Sequence, residues 1–380
     1  MYDIVDYGLM TADRVRMDAY VEALRRAVRP NSVVVDIGTG TGIFALLACQ
    51  FGARRVYAIE PNNAIFVAQE VAAANGYADR IEFIKELSTK TVLPEPADVI
   101  ISDIRGILPL VRQDVSTLID ARRRLLAPGG VLIPQRDTLW AAVVETTDQY
   151  HDYTVPLEDN VYGLDLRAAR HAVVNSWRKA RPGQQMLTTP KCWATLDYTS
   201  IENPNVRSEV IWSVVGKGTG HGYCIWFDSL LTEGACLTNS PIETQLVYGQ
   251  AFFPWSEAVS LDVGDKVSAV LQVNLVGEDY VWSWNTQILE QGTERVKANF
   301  KQSNFYGAPF GSINLEKREA NYLPTLDEDG HLVRQILELM EEHNSLGEIA
   351  QRMQTAFPNR FTKWQDALNY VCELSQQYSV

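Results

Sequence analysis

One stretch near the amino end limits the fold more than any other. Ser32 to Asp36 is an apolar run of strand length, and it leads directly into Ile37-Gly38-Thr39-Gly40-Thr41-Gly42. Glycines at alternate positions let a chain turn sharply from a strand into a helix and let a ligand approach the backbone there. The next apolar run, from Val56, ends on Glu60, about 20 residues beyond the loop, where a carboxylate can accept both hydroxyls of a ribose. A dinucleotide would suit such a loop equally well. Two features tilt the choice toward a methionine-bearing nucleoside. Asp36, directly before the loop, can meet an amino group, and the later strand Asp98 to Ser102 ends on an acid, Asp103.

The rest of the first third repeats the alternation. Strands are predicted at 32–36, 56–60, 81–85, 98–102 and 131–134, and helices at 12–28, 43–51, up to about 75, and 114–126. Apolar strands separated by helices predict a parallel sheet covered on both faces, so residues 1–136 read as a Rossmann-like α/β domain. Beyond residue 137 the pattern becomes one of strands rich in Val, Trp, Tyr and Thr: 139–145, 192–200, 209–215, 223–229, 244–248 and 266–288. Residues 137–294 are therefore expected to form an antiparallel β-barrel, with 155–190 as an irregular excursion. Residues 295–330 read as a polar linker. Residues 331–380 read as a small helical module, its second helix opened by the capping box Ser345-Leu-Gly-Glu348. So short a segment is expected to pack on the β domain or a partner.

Bulk properties exclude several functions. The 380 residues carry a formal charge of −13, against the basic face that a nucleic-acid partner requires. No apolar run is long enough to span a bilayer, and Met1 to Met10 has no signal-peptide pattern. The cysteines are scattered, which fits reduced thiols in a cytoplasmic protein, and the histidines lack metal-ligand spacing. His221 is expected to be structural, with a proton-accepting role as the alternative.

Several segments in order resemble the protein arginine methyltransferases. They are Met10 to Tyr20, the glycine loop, Val56 to Glu60, Ala97 to Asp103, Leu126 to Pro134, Asn160 to Asp165 and Gly222 to Asp228. The resemblance implies a class I methyltransferase domain followed by a β-barrel, with S-adenosyl-L-methionine as cofactor. It implies that Arg16 holds the cofactor carboxylate, Glu60 the ribose, and Met10 the sulfonium neighbourhood. Leu87 and Ser88, with Thr89, would meet the adenine, and Gly38, Gly40 and Gly42 would form the cofactor loop. It further implies a homodimer joined by an arm near 166–190. The C-terminal module resembles the helical part of leader-peptide-recognition domains from enzymes that modify ribosomally made peptides.

The acceptor site departs from that pattern. The family carries two glutamates nine residues apart on a hairpin; here those positions are Asp103 and Arg112, with Arg105 between them. The family's barrel histidine corresponds to Ile242, which leaves Asp13 without its mate, and the cofactor-covering helix is expected to be cut short. Arginine in place of an acid suits an anionic or carbonyl-bearing acceptor. The leading expectation is therefore O- or C-methylation of a peptide or protein in a modified-peptide pathway. Asp103 would act as base or orienting group, and Arg105 and Arg112 would hold the acceptor. Alternatives are arginine N-methylation using Asp103 alone or with Asp114, and an inactive cofactor-binding scaffold.

Overall fold

β1 (Val33–Ile37) is buried at every position, as a strand covered on both faces must be. Around it lie β2 (Arg55–Ile59), β3 (Ile81–Ile84), β4 (Ala97–Ser102) and β5 (Leu126–Ile133), giving a parallel sheet in the order β3-β2-β1-β4-β5. The register sets Ile37 beside Ile59 on one side and Ser102 on the other. The carboxyl ends of these three strands are therefore level. The glycine loop, Glu60 and Asp103 each follow one of them and come to one edge, where open α/β sheets bind their ligands. The computed structural model describes residues 3–158, 162–308, 317 and 320–379, so the beginning of the Asn160–Asp165 motif lies outside the described residues.

The first helical stretch differs from its prediction. A single helix over 12–28 is replaced by α1 (Ile4–Ala12) and α2 (Arg14–Ala27), because Asp13 between them is extended and uses its side chain to accept from the Arg16 amide. α1 opens on a reciprocal cap between Asp3 and Asp6. The segment expected to hold a shortened covering helix thus forms a nine-residue helix. α3 (Ile43–Gln50) starts at Gly42, α4 (Ala64–Ala74) follows β2, and α5 (Asp114–Arg124) precedes β5.

The β-rich part begins with β6 (Arg136–Glu145), followed by α6 (Thr147–Thr154), α7 (Arg167–Val174), β7 (Arg178–Lys179) and β8 (Gln185–Met186). β9 (Lys191–Asp197), β10 (Val206–Ser213), β11 (Gly218–Thr232), β12 (Ala235–Thr238) and β13 (Ala251–Leu261) come next. β14 (Lys266–Val276), β15 (Asp279–Leu289), β16 (Val296–Phe300) and α8 (Asn304–Gly307) complete it. Their ladders form two antiparallel sheets, β10-β14-β15-β16 and β7-β13-β11-β6-β8 with β9 and β12 at its sides, where one barrel was expected.

Three expectations change here. The run 266–288 is a hairpin turning at Gly277-Glu278, so its alternation continues across a tight turn. Residues 244–248 are not a strand. The polar stretch from 295 does not start as a linker, since Val296–Phe300 pairs with β15. One apolar cluster includes Val34 and Ile100 of the parallel sheet as well as Trp193, Phe253 and Trp282 of the antiparallel ones. Residues 1–309 accordingly form a single compact unit, with no break at 136.

The second unit, 310–380, contains α9 (Glu328–Glu341), α10 (Leu346–Ala356) and α11 (Trp364–Tyr378). It was expected to need a neighbour for its core. Instead Leu332, Ile336, Ile349, Met353, Phe361 and Val371 bury one another, one apolar stripe from each helix.

Candidate active site

A cavity of about 510 Å³ opens at the carboxyl edge of the parallel sheet. That is the size range of sites for small molecules and cofactors. Gly38 and Thr39 form part of its floor, and Glu60, Pro61 and Asn62 enter from the end of β2. Glu86, Leu87, Ser88 and Thr89 line it from the segment after β3, and Tyr7, Met10 and Thr11 from α1. Gly40 does not line the cavity but determines how closely α1 sits. It has φ +54°, and a Cβ there would collide with the Tyr7 ring. Gly38, at φ +73°, would bring a Cβ to 2.6 Å from Ile104 Cγ2.

Glu60 is 4% exposed and is held from both sides. One oxygen accepts from the Gly40 amide at 3.1 Å, and the other accepts from the Asn62 amide and side chain at 3.0 and 2.7 Å. Its carboxylate is thereby fixed facing the cavity. Asp36 is placed differently from its expectation. It does not line the cavity; one oxygen accepts from the Thr39 hydroxyl at 2.6 Å and the Ala45 amide at 3.0 Å. It braces the glycine loop from below. Burial lifts its pKa to about 7, with those two donors pulling the other way.

Asp103 sits under the middle of the site. Its Oδ2 accepts from Arg16 Nη2 at 2.6 Å, Arg16 Nε at 2.9 Å and the Tyr248 hydroxyl at 2.5 Å. Arg16 also donates to the Met10 carbonyl at 3.0 Å, which ties α1 to the network. Burial pushes the Asp103 pKa up, but Arg16 and Arg105 outweigh it and hold the acid ionised. Tyr248 supplies the hydroxyl that fixes Asp103, a contact across 145 residues for which the sequence carried no signal.

Arg105 overturns an expectation outright. It is 3% exposed and donates to Asp137 Oδ1, Ser229 Oγ and the Tyr20 hydroxyl, each at 2.6 Å. Tyr198 completes the shell by donating to Asp137 at 2.8 Å. Arg105 is thus a buried clasp between the loop after β4, α2, β6 and β11, and it is not available to an acceptor. The segment Asp103 to Arg112 is a loop rather than a hairpin. Leu110 and Arg112 have φ of 69° and 52°, a conformation that costs an ordinary residue about 1–2 kcal/mol. The loop is secured at Leu110, whose carbonyl accepts from Trp282 Nε1 at 3.2 Å.

Arg112 lines the cavity, and so does Asp114, the first residue of α5. Asp114 is 7% exposed and its Oδ2 has no hydrogen-bond partner; the same is true of Asp103 Oδ1. Glu278 and Asp279, from the turn between β14 and β15, also line the cavity. Among the described lining residues, Glu60, Glu86, Asp103, Asp114, Glu278 and Asp279 stand against Arg16 and Arg112 as the charged side chains. Asp13 was expected to be orphaned by the loss of the barrel histidine. It accepts from the Val247 amide at 2.8 Å, while Ile242 is 75% exposed. His221 accepts from the Thr146 amide at 3.1 Å and does not line the cavity. Among the described residues no group of side chains could hold a metal ion, and no helix is long and apolar enough to cross a membrane.

A five-stranded parallel sheet with a glycine loop after β1 and an acid after β2, continued into antiparallel sheets, defines a class I methyltransferase fold with a β-rich extension. The family model for ribosomal protein L11 methyltransferase (PrmA) matches residues 18–145. Among relatives, probable protein arginine N-methyltransferase 6 of Arabidopsis thaliana is 31% identical over 229 residues, 58% of this chain and 52% of its own length. Protein arginine N-methyltransferase 1 of Dictyostelium discoideum is 27% identical over 69% of this chain and 79% of its own. The chain thus spans about half the length of the first of these relatives.

Among solved structures, protein arginine methyltransferase 10 of Arabidopsis thaliana superposes with a TM-score of 0.69 at 25% identity, covering 79% of this chain and 97% of that one. The PRMT1 enzyme-prozyme complex of Trypanosoma brucei, determined with AdoHcy, gives 0.71 at 20% identity over 78% and 96%. The chain is thus similar, in sequence and in fold, to protein arginine methyltransferases.

Proposed function

We propose that the chain is an S-adenosylmethionine-dependent methyltransferase that modifies arginine side chains of a peptide or protein. One observation carries the choice of acceptor. Asp103 and Asp114 line the same cavity, and each keeps one buried oxygen without a hydrogen-bond partner. Buried polar atoms are costly when unpaired. Two such oxygens, in a cavity whose acids outnumber its bases, fit a guanidinium, which is always charged and offers a fork of donors. The acidic-acceptor reading needed Arg105 and Arg112 as a pair, and Arg105 is spent inside the protein. With it goes the motive for O- or C-methylation in a modified-peptide pathway.

The remaining cavity residues suit the cofactor. Glu60 would take the ribose hydroxyls, Leu87 and Ser88 the adenine, and Arg16 the carboxylate, with Met10 over the sulfur and Gly38, Gly40 and Gly42 shaping the loop. Bound there, S-adenosylmethionine would supply a methyl group on a sulfonium. The chain's own part is to align the acceptor nitrogen, exclude water beneath α1, and give the departing guanidinium proton a carboxylate base to leave by. Asp103, held ionised by two arginines, is suited to orienting the acceptor. A homodimer, and a peptide-binding role for residues 331–380, are part of the same proposal. The test is mass spectrometry of a glycine–arginine–glycine peptide incubated with enzyme and cofactor. Methylarginine is expected; products methylated only on carboxyl or carbon would refute it.

A further inference from the structure

Asp103 and Asp114 line one cavity, but their surroundings are opposite. Asp103 touches one guanidinium at 2.6 Å and a second at 3.5 Å. Among the described residues Asp114 has no ion pair within 4 Å, although it is equally buried and stands beside Arg112. Tyr280 of β15 is 5% exposed, its hydroxyl has no hydrogen-bond partner, and it lies within electrostatic reach of Asp114. Asp114 thus lines the cavity with an unpaired oxygen, where a lone ionised carboxylate would be poorly solvated.

We infer that acceptor binding in this cavity is a proton-for-cation exchange at Asp114. The empty site carries Asp114 as a neutral carboxylic acid, with the Tyr280 hydroxyl within electrostatic reach. An arriving guanidinium takes the place of the proton. The balance is Asp114–COOH plus guanidinium cation giving a carboxylate–guanidinium pair plus one proton released to solvent. The net charge of the site is unchanged by binding, so the buried wall is never left with an unpaired charge. This rests on the arginine-acceptor reading above.

The direction of the Asp114 pKa agrees. Burial drives it well above the ordinary carboxylate range, and backbone amides at Asp114 and Val111 and the more distant Arg105 and Arg112 lower it only in part. The amino end of α5 also favours the ionised form, but a helix terminus is a small influence beside full burial. The other charged or titratable groups around Asp114 are Arg105 and Arg112 on its own loop, Asp103, Tyr198, Tyr280, and Glu278 with Asp279 at the mouth. The exchange has a sign. Because binding releases a proton, acceptor affinity rises with pH, about tenfold per unit while Asp114 is neutral. A permanently ionised acid would give no such slope.

The test uses the full chain with S-adenosylhomocysteine bound. The infrared difference between wild type and Asp114→Asn should show a protonated-carboxyl band at neutral pH. Tyr280→Phe should shift that band, which a merely structural tyrosine would not do. Saturating methylguanidinium should erase it, and calorimetry in two buffers of different ionisation enthalpy should count about one proton released in wild type and none in Asp114→Asn. Absence of the band, or its persistence under methylguanidinium, overturns the inference. Erasure of the band by methylguanidinium, with no methylarginine formed on a glycine–arginine–glycine peptide, supports the exchange and refutes the arginine-acceptor function.

Discussion

At the scale of single residues, the site is governed by carboxylates whose states differ because their neighbours do. Glu60 already has three donors that hold it in place, so its charge is available to a ligand without reorganisation. Glu60→Gln keeps the size and should weaken S-adenosylhomocysteine binding by about 1–3 kcal/mol, the scale of a charged hydrogen-bond partner lost; calorimetry reads it directly. Asp36 behaves in the opposite sense. Its folded pKa of about 7 lies above the unfolded value of about 3.9. The folded state therefore binds a proton more tightly, and the stability this gives is full below the unfolded pKa and lost as pH rises through 7. Asp36→Asn, which imitates the protonated acid, should flatten the fall in melting temperature between pH 4 and pH 7; an unchanged slope would mean Asp36 is not its source.

At the scale of elements, the feature to explain is how nine residues of α1 can cover a cavity while none of them is buried. Its anchors include the Asp3–Asp6 cap, the Arg16 contact to the Met10 carbonyl, and the close approach of Tyr7 to Gly40. An element held so lightly opens at little cost. Gly40→Ala strains a positive-φ position and forces Tyr7 outward, so it should weaken S-adenosylhomocysteine binding at least tenfold and speed hydrogen exchange in α1 while the sheet stays protected. Equal exchange in α1 of both proteins would show that the Tyr7 contact does not hold the helix.

At the scale of the molecule, the two units have separate cores. Deleting residues 331–380 should leave a soluble protein with unchanged S-adenosylhomocysteine affinity. If the helical unit docks a peptide, the Michaelis constant for a long substrate should rise several-fold while that for a short one stays put. Unchanged constants for both would remove peptide docking from its role. The division was only partly readable. Helical periodicity gave the three helices, but a small core was expected to need a neighbour, and the stripes of three helices proved sufficient for one another. Across the boundary expected at 136, aromatic residues of the β-rich part, such as Trp193 and Trp282, share one cluster with the parallel sheet.

The sequence by itself determined the parallel sheet, the glycine loop and the acid after β2, since each depends on near neighbours: apolar runs of strand length, positive-φ glycines, and a fixed distance between successive strands. It carried the resemblance to the protein arginine methyltransferases through the same local motifs. The acceptor end was decided by tertiary structure. Arginine at 105 looked like a ligand because an isolated cation in a site loop implies an anion. Only the fold brings Asp137, Ser229 and Tyr20 around it, from positions up to 124 residues away, and converts it into an internal clasp. From the sequence, Asp114 was only a possible partner of Asp103. The fold buries it at the cavity with an oxygen left unpaired, beside a loop that turns at Leu110 and Arg112. The physical reason is that charge and protonation depend on the dielectric and the partners that packing supplies, and local sequence does not specify them.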